Sequence, residues 1–366
     1  MDLPVMPPVL PMLAKSVPRI PDGAAGEYVY EPKWDGFRCL VYRDGDAVRL
    51  DSRSAKPMER YFPDVVAAVL AELPERCVVD AEIVLAQAGR LEFEALSQRI
   101  HPADSRVRLL AEQTPAALVV FDVLALGDDD VSGEPLARRQ ELLDDLGLVG
   151  PRVHATPRTR DARIAQEWFE TFEGAGLDGV MAKPLADAYQ PNKRSMLKIK
   201  HARTADVVLA GYRLHKTSTD ANPLVGSLLL GLHDEQGQLQ FVGVAAAFSA
   251  ARRAELAAEL APLVVDPGTA AADAHPWSGW QNPAGERMPG AVSRWSSGKD
   301  LSFTPLAPER VLEVAYDHME GSRFRHTAQF RRWREDRTPE SCTYDQLEEP
   351  VRYDLTGLLP GAPGVR

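Results

Sequence analysis

Two apolar, strand-like runs, Phe37–Arg43 and Ala47–Leu50, are joined by a tight turn at Asp44-Gly45. So short a connection admits only antiparallel pairing, because parallel neighbours need a crossover of about a dozen residues or more. Asp-Gly supplies the left-handed backbone that such a turn demands. The same texture continues through the first 200 residues or so. Further strand signals lie at Glu27–Lys33, Cys77–Leu85, Ala117–Leu124, Gly179–Lys183 and Met196–Lys200. Helical apolar spacing marks Met58–Leu70, Phe93–Arg99, Leu136–Leu146 and Ile164–Ala175. The pattern predicts an α+β domain over residues 1–203, made of antiparallel sheets with helices packed on them.

From about Thr204 the texture changes. Short strands at Asp206–Tyr212, Gly226–His233, Leu239–Val244 and Val311–Tyr316 dominate, with Gln236-Gly237 as a hairpin turn and one helix at Ala250–Leu260. This predicts a small OB-fold β-barrel as a second domain over residues 204–366. Pro262–Asp300 is rich in Ala, Pro, Gly and Ser and is expected to be a long insertion with little regular structure. The tail after Leu355 is expected to fray.

A chain of 366 residues suffices for two domains, each with its own core. Apolar content of 45% and charged content of 26% suit a globular protein, and no apolar run approaches the ~20 residues of a membrane span. The N-terminus lacks the basic-then-apolar layout of a signal peptide. Cys39, Cys77 and Cys342 are too few and scattered for a disulfide framework, so a reducing cytoplasm is expected. The net charge of −11 argues against nucleic acid only if charge is evenly spread. It is not. Residues 193–203 carry five Lys/Arg and no acid, and residues 321–337 carry six Arg against Glu335 and Asp336.

The chemistry-bearing residues come in order along the chain. Lys33, in Glu31-Pro32-Lys33-Trp34-Asp35-Gly36-Phe37-Arg38, lies between two strands beside a bulky Trp and a turn. A lysine amine so placed can form covalent intermediates. Lys-x-Asp-Gly by itself equally describes a solvated lysine beside a hairpin; the later segments decide between the two. Asp51-Ser52-Arg53-Ser54 offers an arginine at a strand end. Val78-Val79-Asp80-Ala81-Glu82-Ile83-Val84 puts Asp80 and Glu82 on one face of an otherwise apolar strand. Acids there are costly unless they meet a cation or a base. Val119-Val120-Phe121-Asp122-Val123 carries a ring that could stack on a base. Leu177-Asp178-Gly179-Val180-Met181-Ala182-Lys183 adds a carboxylate and a lysine, and Lys198-Ile199-Lys200 points two lysines the same way. Oxygen ligands and paired lysines suit Mg2+ and nucleotide phosphates. There is no GxxxxGK[ST] loop, HExxH or GxSxG motif.

The ordered set KWDGFR, SRS, DAEIV, VFDVL, DGVMAK, KIK and RRWREDR resembles the motif series of the covalent nucleotidyltransferases, and most of all ATP-dependent DNA ligases. The resemblance runs from PMLAK at Pro11 to about Arg337. The compact length is similar to the small ligase C group of actinobacteria, with no room for the extra N-terminal DNA-binding domain of larger ligases.

The resemblance implies an adenylyltransferase domain followed by an OB-fold. It implies that Lys33 becomes adenylylated by ATP and that AMP then passes to a nick in duplex DNA, in the service of repair. Glu31 would read the adenine amino group, Phe121 would stack on the base, and Arg38 and Glu82 would hold ribose. Arg53 would contact phosphate; Lys183, Lys198 and Lys200 would complete the nucleotide pocket. Glu82 and Asp178 would help hold Mg2+ or Mn2+. Arg332, Arg334 and Asp336 would orient pyrophosphate. The sequence departs from the family pattern in three places: Ala81 replaces Gly, Asp178 replaces Glu, and Arg337 replaces Lys. A monomer is expected. An RNA ligase or GTP-using mRNA capping enzyme would share the lysine chemistry, and a non-catalytic nucleic-acid-binding module is the reading of a different class.

Overall fold

The computed structural model describes residues 1–21, 26–201, 203–278, 302–347 and 353–365. The chain divides into two compact units, Met1–His201 together with the C-terminal residues from Pro350, and Ala202–Glu349.

The first unit is built on two main sheets. In one, the order is Leu13–Ser16, Arg194–Ile199, Val180–Pro184, Tyr28–Pro32. In the other it is Val153–Ala155, Ala117–Leu126, Arg76–Val84, Phe37–Asp44, Ala47–Ser52. The central pairings are antiparallel, as the hairpin signals predicted. Two edge pairings are parallel: Leu13–Ser16 on Arg194–Ile199 and Val153–Ala155 on Ala117–Leu126. The latter is reached through the helix Leu136–Asp145, which supplies the length a parallel connection needs.

Side-chain alternation along Arg76–Val84 explains both faces of the larger sheet. Cys77, Val79, Ala81 and Ile83 are fully buried with Val65 and Val69 of the helix Pro63–Glu72. Burial of Val79, Ile83, Val65 or Val69 contributes roughly 1.5–3 kcal/mol each. Val78 faces the other way and packs with Leu40, Tyr42 and Leu124 against Met12 and Met196. Asp80 and Glu82 share that second face, which looks toward the four-stranded sheet.

The second unit is a five-stranded antiparallel sheet in the order Leu239–Ala245, Val225–His233, Arg203–Leu214, Thr304–Tyr316, Gln329–Trp333. The Ala328 N–H donates to the Val244 carbonyl at 2.9 Å, so the two ends of the order meet and the sheet curls as an OB-fold does. The helix Ala250–Leu260 is capped by Ser249, whose side chain accepts from the Arg252 N–H, and buries Leu256 and Leu260.

Four expectations need correction. The helix expected from Met58 begins at Pro63, with a 3-10 turn at Glu59–Tyr61 before it, because proline suits the first helical position. The helix Asp104–Gln113 and the strand Gln329–Trp333 carried no usable periodic signal: the helix buries only Val107 and Leu110, and the strand alternates through exposed arginines. The insertion after Pro262 is not irregular throughout. Its first part holds the short helix Ala270–Asp273 and a fully buried Trp277, whose indole N–H donates to the Leu239 carbonyl at 2.8 Å. Residues 279–301 lie outside the described residues. The tail does not fray or join the barrel. Leu355, Leu359, Ala362 and Val365 are buried in the first unit.

Among the described residues, no helix is long and apolar enough to cross a membrane. All three cysteines are free and buried.

Candidate active site

Lys33 directly follows the strand Tyr28–Pro32 and is clamped to the segment Asp178-Gly179. Its N–H donates to the Gly179 carbonyl at 2.8 Å, and its own carbonyl accepts from the Asp178 N–H at 2.9 Å. The side chains repeat the pairing, with Lys33 Nζ 2.6 Å from Asp178 Oδ2. Lys200 Nζ reaches the same oxygen at 2.8 Å. Burial would raise the Asp178 carboxyl, but Lys33 and Lys200 outweigh it and hold the group down at about 2. Lys198 shares the face of Lys200, one strand position removed on either side of the buried Ile199. Burial, Lys200 and Lys33 together depress the Lys198 ammonium, and Arg53 adds to that field.

Two glycines make this geometry possible. A Cβ on Gly179, which sits at φ +118°, would lie 2.0 Å from the Ile199 carbonyl oxygen. A Cβ on Gly36 would lie 2.0 Å from that of Ile83. Both obstacles are backbone, which cannot swing aside. Gly179→Ala is expected to destabilise the fold by about 2–4 kcal/mol through backbone strain and overpacking. A urea unfolding midpoint within error of wild type would refute this.

Glu82 pairs in register with Arg38, and Asp80 with Leu40. Arg38 is gripped bidentately by Asp80, with Nε to Oδ1 and Nη2 to Oδ2 both at 2.6 Å. Tyr189 donates its hydroxyl to Asp80 Oδ2 at 2.6 Å. Asp80 is fully buried, and this double satisfaction offsets the cost of burying it. Glu82 has no such bidentate partner. Burial pushes its carboxyl up to about 7, against the pull of Arg38 and Lys33 and with Asp80 adding to the rise.

Phe121 occupies a bulge: Ala81 pairs with Val120 and Asp80 with Asp122, so Phe121 is passed over in the ladder. A bulge re-aims a side chain, and this one sets the ring beside two cations. Arg38 lies 4.6 Å and Lys183 Nζ 4.4 Å from the ring centroid. Lys183 also pairs with Glu31 at 2.6 Å, and both are buried. Burial raises the Glu31 carboxyl despite Lys183.

The structure thus gathers Glu31, Lys33, Arg38, Glu82, Phe121, Asp178, Lys183, Lys198 and Lys200 in one unit, with Arg53 close enough to bias Lys198. Arg332, Arg334 and Asp336 belong to the second unit. There Arg332 pairs with Glu313 at 2.8 Å. Arg334 Nη1 lies 2.9 Å from both oxygens of Asp206 and its Nη2 2.8 Å from Asp336. Arg334 holds the Asp336 carboxyl at about 2. Arg337 donates to the Ser341 carbonyl at 3.0 Å.

Sequence reasoning missed Tyr189, which holds Asp80 across 109 residues. It also missed the buried Arg139, bidentate to Asp122 at 2.7 and 3.0 Å. The signal that could have found it is Asp122 inside an apolar strand, which calls for a buried cation as Asp80 does, though not for which one. Ala81, where the family pattern has Gly, points into the core on the opposite face and leaves the site untouched.

Among the described residues, no three His, Cys, Asp or Glu side chains cluster to hold a metal by themselves. Glu82 and Asp178 nonetheless suit Mg2+, which is commonly bound by one or two carboxylates with phosphates and water. A half-buried Glu82 whose carboxyl is pushed up to about 7 is a carboxylate short of positive charge.

Comparison with known proteins gives the lineage. Residues 11–200 match the model of the ATP dependent DNA ligase domain, and residues 221–337 that of the ATP dependent DNA ligase C terminal region. DNA ligase C of Mycobacterium tuberculosis is 58% identical over 99% of both chains. DNA ligase C2 of Mycolicibacterium smegmatis is 58% identical over 96% of this chain and 97% of its own. A solved Lig E DNA ligase covers 89% of this chain and all of its own with a TM-score of 0.52, at 16% identity, a likeness of fold alone. With two domain models in order and such identity over the full length, the chain belongs to the ATP-dependent DNA ligase family.

Proposed function

We propose that this protein seals nicks in duplex DNA in three steps through a lysyl-AMP at Lys33. The observation that carries this is the position of Lys33, clamped by backbone and side chain to Asp178 and faced by Lys200, Lys198 and Glu82. In the first step Lys33 Nζ, having released its proton, attacks the α-phosphorus of ATP. The N–P bond forms as the bond to the bridging oxygen breaks, and pyrophosphate leaves. Lys198 and Lys200 supply positive charge where phosphate charge develops. Phe121 offers a face for the adenine, and the buried Glu31 an acceptor for its amino group. In the second step the 5′-phosphate of the nick attacks the AMP phosphorus and frees Lys33. In the third the 3′-hydroxyl displaces AMP and the strand is sealed. Glu82 and Asp178 would hold the divalent cation, which supplies charge neutralisation at the phosphates. Incubation with α-labelled ATP and then nicked duplex tests the scheme: label on the protein, then sealed product, is expected. Label from GTP alone, or sealing of RNA alone, would overturn it.

Arg332, Arg334 and Asp336 are assigned to the pyrophosphate leaving group, with the barrel moving about the His201–Asp206 connection between steps. Arg334→Ala is expected to cut adenylylation by ATP at least about tenfold. It should seal pre-adenylylated nicked DNA at nearly the wild-type rate, because that substrate bypasses the first step. Equal loss on both substrates, with a shallower dependence of DNA binding on salt than wild type, would reassign the arginine to DNA binding.

A further inference from the structure

The C-terminal segment 353–365 returns to the first unit and packs behind the nucleophile. Leu355, Leu359, Ala362 and Val365 share one buried cluster with Trp34, Leu91, Phe172, Ala175 and Leu177. Trp34 is the residue after Lys33, and Leu177 the residue before Asp178. These are the two segments that clamp each other through Lys33, Asp178 and Gly179. Trp34 is 5% exposed and Leu177 3%, so both side chains are seated rather than draped over the surface. Trp34 is also pinned by its indole N–H to Thr156 Oγ1 at 2.9 Å.

The fit of the segment is close along its length. The Leu355 N–H donates to the Gly89 carbonyl and the Gly89 N–H to the Gly364 carbonyl, each at 3.3 Å. A Cβ on Gly364 would lie 1.9 Å from the Ala86 carbonyl oxygen. The rings of Tyr353 and Phe172 pack with centroids 4.8 Å apart. Asp354 caps the short turn Leu355–Gly357 by accepting from the Thr356 N–H.

We propose that residues 353–365 are a positioning element for the adenylylation step: they fix the Trp34 and Leu177 anchors and so set the separation of Lys33 from Asp178. This rests on the lysyl-AMP reading above. Nothing in the segment reaches the reacting atoms; it acts through the backbone on either side of them. Misplacing a nucleophile by about 1 Å can cost about a hundredfold in rate without a matching loss of binding. The expected signature is therefore a loss of rate, not of ATP affinity.

The test uses the full chain with Leu355→Ala and Leu359→Ala together. Single-turnover labelling of Lys33 at saturating ATP should fall at least about tenfold. The ATP concentration for half-maximal labelling should stay within about threefold, and so should sealing of pre-adenylylated nicked DNA. Leu143→Ala, a buried leucine of the cluster on the opposite face of the larger sheet, serves as control. Its thermal midpoint should drop comparably while labelling stays near wild type. If the double variant does not fold, Leu359→Val is read in the same assays. Wild-type labelling in the variant, or a loss no greater than in Leu143→Ala at equal destabilisation, overturns the proposal. Absence of labelling in the wild-type protein would instead sink the ligase chemistry itself.

Discussion

Lys33→Ala abolishes covalent AMP on the protein. No second amine can substitute: Lys200 is held on Asp178, Lys183 is buried against Glu31, and Lys198 lies on a strand opposite Met181. Loss of the nucleophile should lower the first step by about a millionfold, the scale seen when a covalent nucleophile is deleted elsewhere. Folding should be little changed, because Lys33 is partly exposed and its removal leaves Asp178 still paired with Lys200. Pre-adenylylated nicks should still be sealed, since Lys33 has already done its chemistry by that stage. Wild-type labelling of the variant, detected as label that stays with the denatured protein on a gel, would move the nucleophile elsewhere.

Glu82→Gln should separate stability from activity. The Glu82 carboxyl sits near 7 because burial penalises its charge, with Arg38 and Lys33 offsetting only part of the penalty. Its folded value is thus raised above the ordinary carboxyl value of ~4.5. A raised value means that the folded state holds a proton the unfolded state has released, so stability is greatest below pH ~4.5 and is lost as pH rises to about 7. The wild-type protein therefore carries a penalty on the order of 3 kcal/mol at pH 8 from this one group. Glu82→Gln removes that penalty and should raise the thermal midpoint at pH 8 but not at pH 5. Sealing should fall by about a thousandfold or more, because the negative charge that would hold a cation is gone. Mg2+ should raise the midpoint of the wild-type protein at pH 8 and leave that of Glu82→Gln unmoved. A variant that seals at the wild-type rate would leave Glu82 as a half-buried strand acid and nothing more.

The sequence alone determined the central strands of both units and the hairpin turns that join them, though not edge strands such as Gln329–Trp333. Alternation along Val78–Val84 and the Asp44-Gly45 hairpin are properties of a few neighbouring residues, and backbone geometry leaves them little choice. The same locality set Asp80 and Glu82 on one face, and Lys198 and Lys200 on another, before any partner was known. Only the tertiary structure decided what those faces meet. Asp80 takes Arg38 and Tyr189 while Glu82 is left with the raised pKa, a division that two acids spaced by one residue do not announce. Arg334 is held by Asp206, 128 residues away. The tail after Leu355, whose composition reads as a loose end, is seated because Trp34 and Leu177 present it an apolar surface to cover. Partner choice in each case depends on which distant segments the sheet registers bring within a few ångströms. Local alternation sets the direction of a side chain; the long-range pairing of strands sets what stands opposite it.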